Sequence, residues 1–404
     1  MHSIFGCYIF LIYGIPLNNT NMKKIVFISS HDYNAKRQGG FHVFANLLSK
    51  YYDVVFFSYP RSFFIKIRKT KIIEYDNISL FKIRDEVFGN VRNVSTLFYI
   101  PPVKLLSIIP KKLADFFFHF TIPRFKTFSK RYFGEVDYFI LESNASVVLF
   151  ESLKKLYPQA KFLYRPSDPM LNSPELRFYH KYEIDYVKKC DFIFMVNVEG
   201  EALYKQYIPD LSKDKYEIIS NGIDIESYNK KYDMPKEYLG FSNIVSYIGA
   251  RPAQWDLVIF AAEQKRNINF FVICPEHPTT SFLDAVKRLD NLHFIQGVSP
   301  EEVPAYVTNA NMIMIPNPTD MYKQYPWGIT AKYYQAMYSR KRIVSYSDNE
   351  EIKKLGVNVV YNYQDFVNAI GQNISLGEKE YDFDFRNKDW HCLASRVQQI
   401  IETL

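Results

Sequence analysis

The sequence lacks both glycine-rich signatures of common phosphate-binding loops. It contains neither Gly-x-Gly-x-x-Gly nor a Walker-type Gly-x-x-x-x-Gly-Lys-Ser/Thr run, and glycine is sparse, with 15 residues among 404. Both signatures work by letting backbone N–H groups approach phosphates closely. Their absence disfavours dinucleotide-dependent enzymes and P-loop NTPases.

Cysteine is also scarce. The four cysteines are scattered along the chain, at Cys7, Cys190, Cys274 and Cys392. They have neither the spacing of a disulfide framework nor that of a zinc site, which indicates a reducing compartment. Asp382 and Asp384 have the Asp-x-Asp spacing of a divalent-ion site, but their polar surroundings favour solvated side chains. The sequence therefore predicts no metal site and no cofactor.

Long hydrophobic runs are missing beyond residues 1–17, since no later run approaches the roughly 18 apolar residues that a membrane-spanning helix needs. Residues 1–17 are apolar, but they lack the Lys or Arg and the cleavage site of a signal peptide. Met22-Lys23-Lys24, directly before an apolar strand, also fits a translation start. For the N-terminal extension, 1–21, a signal sequence, a membrane anchor and an upstream mis-start therefore stay open.

What the sequence does contain fits a folded protein of two domains. Hydrophobic residues make up 48% and charged residues 23%, and 404 residues exceed one ordinary core. The net charge of +7 favours an anionic partner, such as a nucleotide, an acidic lipid or nucleic acid. Because no nucleic-acid recognition motif is present, we expect no nucleic-acid partner.

Strand and helix patterns alternate along the chain, which predicts an α/β fold with parallel sheets. One series of predicted strands extends from residues 25–29 to 216–219, and a second from 244–248 to 358–360. A polar segment, 225–242, separates them. We therefore predict a first Rossmann-like domain over 22–235 and a second over 236–404. The last helix, about 390–404, could pack back on the first domain.

The segment 313–337 carries the strongest local signal. A short apolar run, 312–315, predicts a buried strand, and a loop containing proline and glycine follows it. An amphipathic helix then begins near Thr330, with Lys332 and Gln335 in its first turns. Ligands of open α/β sheets bind beyond the carboxyl ends of the strands, and a helix start with a lysine favours phosphate. The segment predicts a nucleotide-phosphate site in the second domain.

Several short motifs follow these strands in order along the chain. They are 29–33 (Ser-Ser-His-Asp-Tyr), Arg37 with Phe41-His42, 57–59 (Phe-Ser-Tyr), 164–168 (Tyr-Arg-Pro-Ser-Asp), 221–224 (Asn-Gly-Ile-Asp), 249–251 (Gly-Ala-Arg) and 332–335 (Lys-Tyr-Tyr-Gln). With this set, the chain from about Met22 onward resembles GT-B glycosyltransferases. Among them it is most similar to the glucuronosyltransferase family of xanthan assembly.

This resemblance implies two Rossmann-like domains facing a cleft and an inverting, metal-independent transferase. It implies transfer of glucuronic acid from UDP-glucuronate to a polyprenyl-diphosphate-linked glycan, in exopolysaccharide or capsule synthesis. It also implies a peripheral protein at the cytoplasmic face of the bacterial inner membrane. A sugar-nucleotide epimerase-like protein and a non-catalytic double-Rossmann binding protein are the alternatives.

The resemblance also assigns roles to residues. It makes Asp168 the general base, Lys332 the ligand of the donor phosphates, and Gln335 a residue of the donor pocket. Further donor-binding candidates are Gly249, Arg251, Asn317 and Tyr333. The sequence departs from the family pattern at Gly297, Asn317 and Arg251. From the residues alone, Asp168 could instead cap a helix, since Ser-Asp-Pro is also a helix-start pattern, and Lys332 could be a solvated helix residue.

Candidate acceptor-binding residues cluster after the first strand. His31, Arg37 and His42 lie at the strand end and the following helix start, and His31 or Arg37 could bind the acceptor sugar or its diphosphate. His42 could instead cap its helix or pack within it.

Two segments, 61–72 and 104–133, interleave lysine and arginine with phenylalanine, leucine and isoleucine. An amphipathic surface of this composition suits an anionic membrane interface. The alternative is an aromatic core face with solvated lysines opposite.

Overall fold

The computed structural model describes residues 22–34, 38–62, 83–98, 110, 113, 125–249, 253–318 and 329–404. Within these residues the strands form two sheets, one of eight strands and one of six. This arrangement confirms the predicted α/β class with two parallel-sheet domains. The candidate acceptor residue Arg37 and the candidate donor residue Arg251 lie outside the described residues.

The first sheet has the order β3-β4-β2-β1-β5-β6-β7-β8. Its strands are β1 (Lys24–Ser29), β2 (Asp53–Ser62), β3 (Ile83–Phe88), β4 (Val91–Phe98), β5 (Tyr138–Glu142), β6 (Lys161–Arg165), β7 (Phe192–Met195) and β8 (Tyr216–Ile218). The helices of this part are α1 (Gly40–Leu48), α2 (Phe125–Tyr132), α3 (Phe150–Leu156), α4 (Arg177–Lys189), α5 (Val198–Tyr207) and α6 (Ile225–Tyr228). Helices cover both faces, so the central strands are apolar throughout.

The edge of this sheet departs from the predicted alternation. Strands β3 and β4 pair antiparallel through a turn at Gly89, whose φ is +59°, whereas all other neighbours in the sheet are parallel. Much of β3 is exposed, so it lacks the apolar run by which the inner strands were predicted.

The second sheet has the order β11-β10-β9-β12-β13-β14, and its strands pair parallel. Its strands are β9 (Ile244–Ile248), β10 (Asn269–Ile273), β11 (Leu292–Ile295), β12 (Met312–Pro316), β13 (Arg342–Tyr346) and β14 (Asn358–Val360). The helices of this part are α7 (Trp255–Gln264), α8 (Thr280–Arg288), α9 (Val303–Asn309), α10 (Ala331–Tyr338), α11 (Glu350–Lys354), α12 (Tyr363–Asn373) and α13 (Trp390–Thr403). Two apolar clusters, one on each face, form the core of this domain.

The last helix, α13, leaves the second sheet and packs on the first. Its residues Trp390, Leu393 and Val397 belong to the same core cluster as Phe27 and Phe44 of the first domain. The rings of Phe44 and Trp390 meet edge to face, with centroids 5.3 Å apart. The chain therefore ends on the domain in which its described part begins.

Gly222 makes room for this return of the chain. An Asn-Gly pair such as Asn221-Gly222 is typical of turns with positive φ, but Gly222 is not among the positive-φ glycines of the described chain. Instead, a Cβ at Gly222 would lie 2.5 Å from the Lys388 carbonyl oxygen and 3.1 Å from the Trp390 ring. Glycine is needed because the segment before α13 crosses here.

We therefore expect Gly222→Ala to lower the free energy of unfolding by about 1–3 kcal/mol, the usual cost of overpacking. Urea unfolding followed by tryptophan fluorescence measures the change. Gly39→Ala is the matched control, because a Cβ there meets no atom within 4 Å. If Gly222→Ala and Gly39→Ala were equally stable, the close passage of the segment before α13 would not be the reason for glycine at position 222.

Within the described residues, no helix combines the length and the apolarity needed to cross a membrane. The same residues contain no cluster of three or more histidine, cysteine, aspartate or glutamate side chains that could hold a metal ion.

Candidate functional site

Each sheet has one point at which its strand order reverses, and the candidate residues lie there. In the first sheet β1 lies between β2 and β5, and in the second sheet β9 lies between β10 and β12. In each sheet, the loops that follow the strands at this point diverge and leave a crevice, which is the usual ligand site of open α/β sheets. We call these the first and the second switch point.

At the second switch point, Gly249 follows β9. Its amide donates to the Ile273 carbonyl at 3.1 Å, and a Cβ would lie 2.5 Å from the Tyr247 hydroxyl. The loop after β9 is tied to the end of β12, because the Gln254 amide donates to the Pro316 carbonyl at 2.8 Å. The backbone at Gly249 thus lies close against Tyr247, which leaves no room for a side chain.

Helix α10 begins at this switch point, as the sequence predicts. Thr330 is its N-cap residue, and no side chain caps the helix. The Thr330 hydroxyl is buried without a hydrogen-bond partner in the part of the chain that the structure describes. First-turn N–H groups of a helix have no intrahelical partner, and they carry the positive end of its dipole. This end of α10 can therefore receive an anion.

Lys332 lies in the first turn of α10 and is partly buried. Its Nζ donates to the Tyr247 hydroxyl at 3.3 Å and lies 4.9 Å from the centroid of the Tyr247 ring. Tyr247 is only 2% exposed, so it is a fixed support for the lysine. The ammonium group is thereby held beside Gly249 and the start of α10, where a phosphate would need it. Gln335 follows on the same helix and is partly exposed.

Tyr333, one of the predicted donor-binding residues, is turned into the core of the second domain. This side chain is 1% exposed and belongs to the core of the second domain. Its hydroxyl lies 2.7 Å from the Ser345 hydroxyl and accepts a hydrogen bond from Asn317 Nδ2 at 3.1 Å. Residues 333, 334, 336 and 337 form the buried face of α10, which turns Tyr333 inward. Tyr333 therefore orients the buried Asn317 after β12.

Asp168 lies beyond β6, next to the first switch point. Its backbone amide donates to the Ser143 hydroxyl at 2.9 Å, which ties its loop to the loop after β5. Asp168 is exposed. The following 3-10 turn, Met170–Asn172, has Pro169 at its N-cap position and no side-chain cap. The alternative role of Asp168 as a helix cap therefore does not describe this turn.

A buried carboxylate that the sequence analysis missed anchors the Asp168 loop. Glu183 of α4 accepts hydrogen bonds from the hydroxyls of Tyr164 and Tyr204, at 2.7 and 2.6 Å. It also accepts from the backbone amides of Met170 and Leu171, at 3.3 and 2.9 Å. Burial raises the pKa of Glu183, although these hydrogen bonds oppose the rise. Its helical spacing from buried Tyr179 and Tyr186 was the signal that could have revealed it.

A second missed carboxyl group, Glu142, ends β5 at the first switch point. Its Oε2 accepts from the Ser29 hydroxyl, which ends the neighbouring strand β1, at 2.5 Å. Burial raises the pKa of Glu142, and the nearby charge of Asp168 adds to the rise. A strand-end position directly after the apolar run 138–141 was the available signal.

The loop after β1 is held rigidly by its backbone. The His31 amide donates to the Ser29 hydroxyl at 3.1 Å, and the His31 carbonyl accepts from the Ser58 hydroxyl at 3.0 Å. Asn93 Nδ2 donates to Asp32 Oδ1 at 3.2 Å. The His31 side chain stays partly exposed at the carboxyl end of β1.

His42, one of the predicted acceptor-binding residues, is buried at the start of α1. This side chain is 4% exposed, and its Nε2 lies 3.1 Å from the Asp32 carbonyl oxygen. Its Nδ1 accepts from the Gly39 amide at 3.3 Å. Both ring nitrogens are thus engaged with backbone, and burial lowers the pKa of His42 to about 4. A neutral His42 therefore caps the start of α1 and packs against the loop after β1, which is the alternative role that the sequence left open.

The low pKa of His42 predicts a loss of stability in acid. The unfolded chain binds a proton at this imidazole below about pH 6.5, whereas the folded chain does so only below about pH 4. Acid therefore favours the unfolded state between these values. Between pH 7 and pH 4.5, His42→Gln should therefore lose about 2 kcal/mol less free energy of unfolding than wild type loses. Urea titrations at pH 7 and at pH 4.5 measure this free energy for both proteins. His391→Gln, at an exposed histidine, should keep the wild-type difference, and an unchanged difference in His42→Gln would contradict the assignment.

The first domain matches a known family. Residues 27–196 match the family model of the N-terminal domain of glucuronosyltransferase GumK. The predicted resemblance is therefore confirmed for this part of the chain, and the match supports the predicted glycosyltransferase class. No curated protein matches the chain significantly.

Solved structures share the whole fold at low sequence identity. An α,α-trehalose 6-phosphate synthase from Burkholderia multivorans is 10% identical with a TM-score of 0.59, covering 95% of this chain and 97% of its own. Anabaena HepE in complex with UDP-glucose is 14% identical (TM-score 0.57, 95% of each chain). The UDP-GlcNAc 2-epimerase of Methanocaldococcus jannaschii is 11% identical (TM-score 0.55, 95% of this chain and 100% of its own). This likeness shows the predicted GT-B fold.

Proposed function

We propose that the protein is an inverting glycosyltransferase that moves glucuronic acid from UDP-glucuronate to a lipid-linked oligosaccharide, without a metal ion. The observation that carries this proposal is the match of residues 27–196 to the N-terminal domain of glucuronosyltransferase GumK. HepE, which shares the fold, was solved with UDP-glucose, so a UDP-sugar is compatible with this architecture.

The second switch point holds the donor in this proposal. The diphosphate lies against the first turn of α10, and Lys332 binds its oxygens. Because Lys332 already rests on the Tyr247 hydroxyl and ring, little side-chain entropy is lost when the donor binds. In the absence of a metal, a cation and helix N–H groups are the means of stabilising the charge that develops on the leaving diphosphate. Gln335 lines the same pocket.

The first switch point holds the acceptor. An acceptor hydroxyl oxygen attacks the anomeric carbon and forms the new glycosidic bond as the bond from that carbon to the phosphate oxygen breaks. UDP leaves with the electron pair, and the hydroxyl proton passes to the Asp168 carboxylate. His31, at the end of β1, contacts the acceptor glycan, and a glycan carried on polyprenyl diphosphate would bring the anionic group that the net positive charge favours.

The reaction is tested by incubating the full chain with UDP-glucuronate, UDP-glucose, UDP-GlcNAc and GDP-mannose, together with lipid extracts from an exopolysaccharide-producing bacterium. We expect transfer of label from UDP-glucuronate into the lipid fraction, unaffected by EDTA. Transfer from another UDP-sugar would replace the donor assignment. A complete lack of transfer, with no stabilisation by UDP, would overturn the function.

We also propose that the protein binds the cytoplasmic face of the inner membrane peripherally. Much of the two basic and aromatic segments, 61–72 and 104–133, lies outside the described residues. In helix α2, Phe128 packs into the core while Lys126, Lys130 and Arg131 are exposed. Phe128 is therefore a core residue, whereas the three exposed cations can contact anionic lipid headgroups.

Replacing these three cations by glutamine should weaken binding to phosphatidylglycerol vesicles. At about 1 kcal/mol per cation near the surface, we expect a loss of at least tenfold at low ionic strength. Vesicle sedimentation measures it, and the triple replacement of Lys230, Lys231 and Lys236 by glutamine is the control. If both triple variants bound the vesicles equally well, the cations of α2 would not contribute to membrane binding.

An epimerase remains the second candidate function, because UDP-GlcNAc 2-epimerase shares the fold. The match of the first domain favours the transferase. Turnover of UDP-GlcNAc without an acceptor separates the two functions, since only an epimerase converts the free nucleotide sugar.

A further inference from the structure

Glu142 occupies a position that the proposed mechanism leaves unused. It is the last residue of β5, and its register partners are at the ends of both neighbouring strands. Leu141 pairs with Ile28, which places Glu142 beside Ser29 of β1, and Glu142 itself pairs with Arg165 of β6. It therefore lies at the first switch point, where the crevice of this sheet opens.

Two hydrogen bonds hold this carboxyl group, and a third joins its loop to that of Asp168. The Ser29 hydroxyl, which is fully buried, donates to Glu142 Oε2 at 2.5 Å. Ser143, the next residue, accepts a hydrogen bond from the Asp168 amide at 2.9 Å, so the two carboxyl-bearing loops are joined directly. The Ser167 hydroxyl, next to Asp168, is a further hydrogen-bond partner of Glu142.

Resting on the proposed function, we propose that Glu142 is a positioning residue that acts through Asp168 as the protonated member of a pair of carboxyl groups. Two carboxyl groups in one partly dry site cannot easily both ionise. Glu142 keeps the proton because it is more enclosed. Asp168, which is exposed, is the group that takes the proton of the acceptor hydroxyl in the proposed mechanism.

The charges around Glu142 are consistent with this division. Burial raises the pKa of Glu142, and the charge of Asp168 adds to the rise. Arg165 opposes the rise, but this guanidinium is itself buried, its pKa is lowered to about 9, and it donates to the Ile219 carbonyl at 2.7 Å. On the β1 side the neighbour is the neutral Ser29 hydroxyl, which also lowers the pKa of Glu142. Because the charge of Asp168 contributes to the raised pKa of Glu142, removing that charge should lower it.

The test is an infrared titration of the full chain labelled with ¹³C-glutamate, which separates protonated glutamate bands from aspartate bands. We expect a protonated glutamate band at pH 7 that is lost in Glu142→Gln. Its titration midpoint should move down by about one pH unit in Asp168→Asn, which removes a like charge. It should move up in Ser29→Ala, which removes a hydrogen-bond donor. Glu183 is the internal reference, since neither substitution touches its hydrogen bonds.

The absence of a band that depends on Glu142 at pH 7 would overturn the proposal, as would a midpoint that is the same in Asp168→Asn and wild type. A purely structural role for Glu142 would lower stability in Glu142→Gln without the opposite shifts in the other two variants. If Glu142→Gln does not fold, the shifts of the titration midpoint in Asp168→Asn and Ser29→Ala still test the proposal. The titration needs no substrate, so failure of the sugar-transfer proposal would appear separately, as a lack of transfer by wild-type protein.

Discussion

Asp168→Asn should lower kcat for sugar transfer by about 10²- to 10⁴-fold while UDP binds with unchanged affinity. This range is the usual contribution of a positioned general base. Asparagine keeps the size of the side chain, and the backbone bond from residue 168 to the Ser143 hydroxyl does not depend on the side chain. The loop also keeps its anchor at Glu183. Loss of activity would therefore report the missing carboxylate.

The measurement pairs a transfer assay with calorimetric titration of UDP. Asp210→Asn is the matched control, since it makes the same chemical change at an exposed aspartate. Activity of Asp168→Asn within a few-fold of wild type would remove Asp168 from the role of base. Weaker UDP binding together with lower activity would indicate a change at the donor site.

Lys332→Ala should weaken UDP binding by about ten- to a hundredfold. Hydrogen bonds to charged groups contribute about 1.5–3 kcal/mol, and the diphosphate would lose its principal cation among the residues that the structure places at the second switch point. The substitution also removes the contact with the Tyr247 hydroxyl and ring. We expect little change in stability, because Lys332 is only partly buried.

Calorimetric titration of UDP and of uridine separates the phosphate contribution from that of the base. Lys332→Ala should bind uridine as wild type does and UDP more weakly. Lys231→Ala, at an exposed lysine, is the control. If UDP binds equally well to Lys332→Ala, the phosphates are held elsewhere.

The sequence was most informative where periodicity and turn chemistry act locally. The apolar run at 312–315 and the helix start at Thr330 were both predicted, and β12 and α10 have these bounds within one residue. A parallel strand that is buried on both faces is a continuous apolar run, which composition alone reveals. The packing of the last helix on the first domain was also expected, and Trp390 shows how it is achieved.

Side-chain burial was harder to predict, because it depends on how helices rotate against the sheet. His42 and Tyr333 lie beside site residues in the sequence, yet both face a core and bind backbone or buried hydroxyls. Glu142 and Glu183 were missed for the converse reason. Each is an acidic residue in an otherwise ordinary element, and only tertiary contacts reveal its partners.

The Asp168, Lys332 and Gln335 assignments remain predictions carried by the family resemblance. The structure places Asp168 in the loop after β6, and Lys332 and Gln335 on α10, which follows β12. It adds the supports that no short motif contains, namely Tyr247 beneath Lys332 and Glu183 behind the Asp168 loop.

The anomeric configuration of the product tests the central claim most directly. UDP-sugar donors of this kind are α-linked, and a base that deprotonates the acceptor for direct attack inverts the anomeric carbon. One solved neighbour, a trehalose-6-phosphate synthase with 10% identity and a TM-score of 0.57, is described as transferring with retention, so the fold alone does not decide the outcome. We predict a β-linked product, measured by the anomeric proton coupling in its NMR spectrum. An α-linked product would contradict the role of Asp168 as general base.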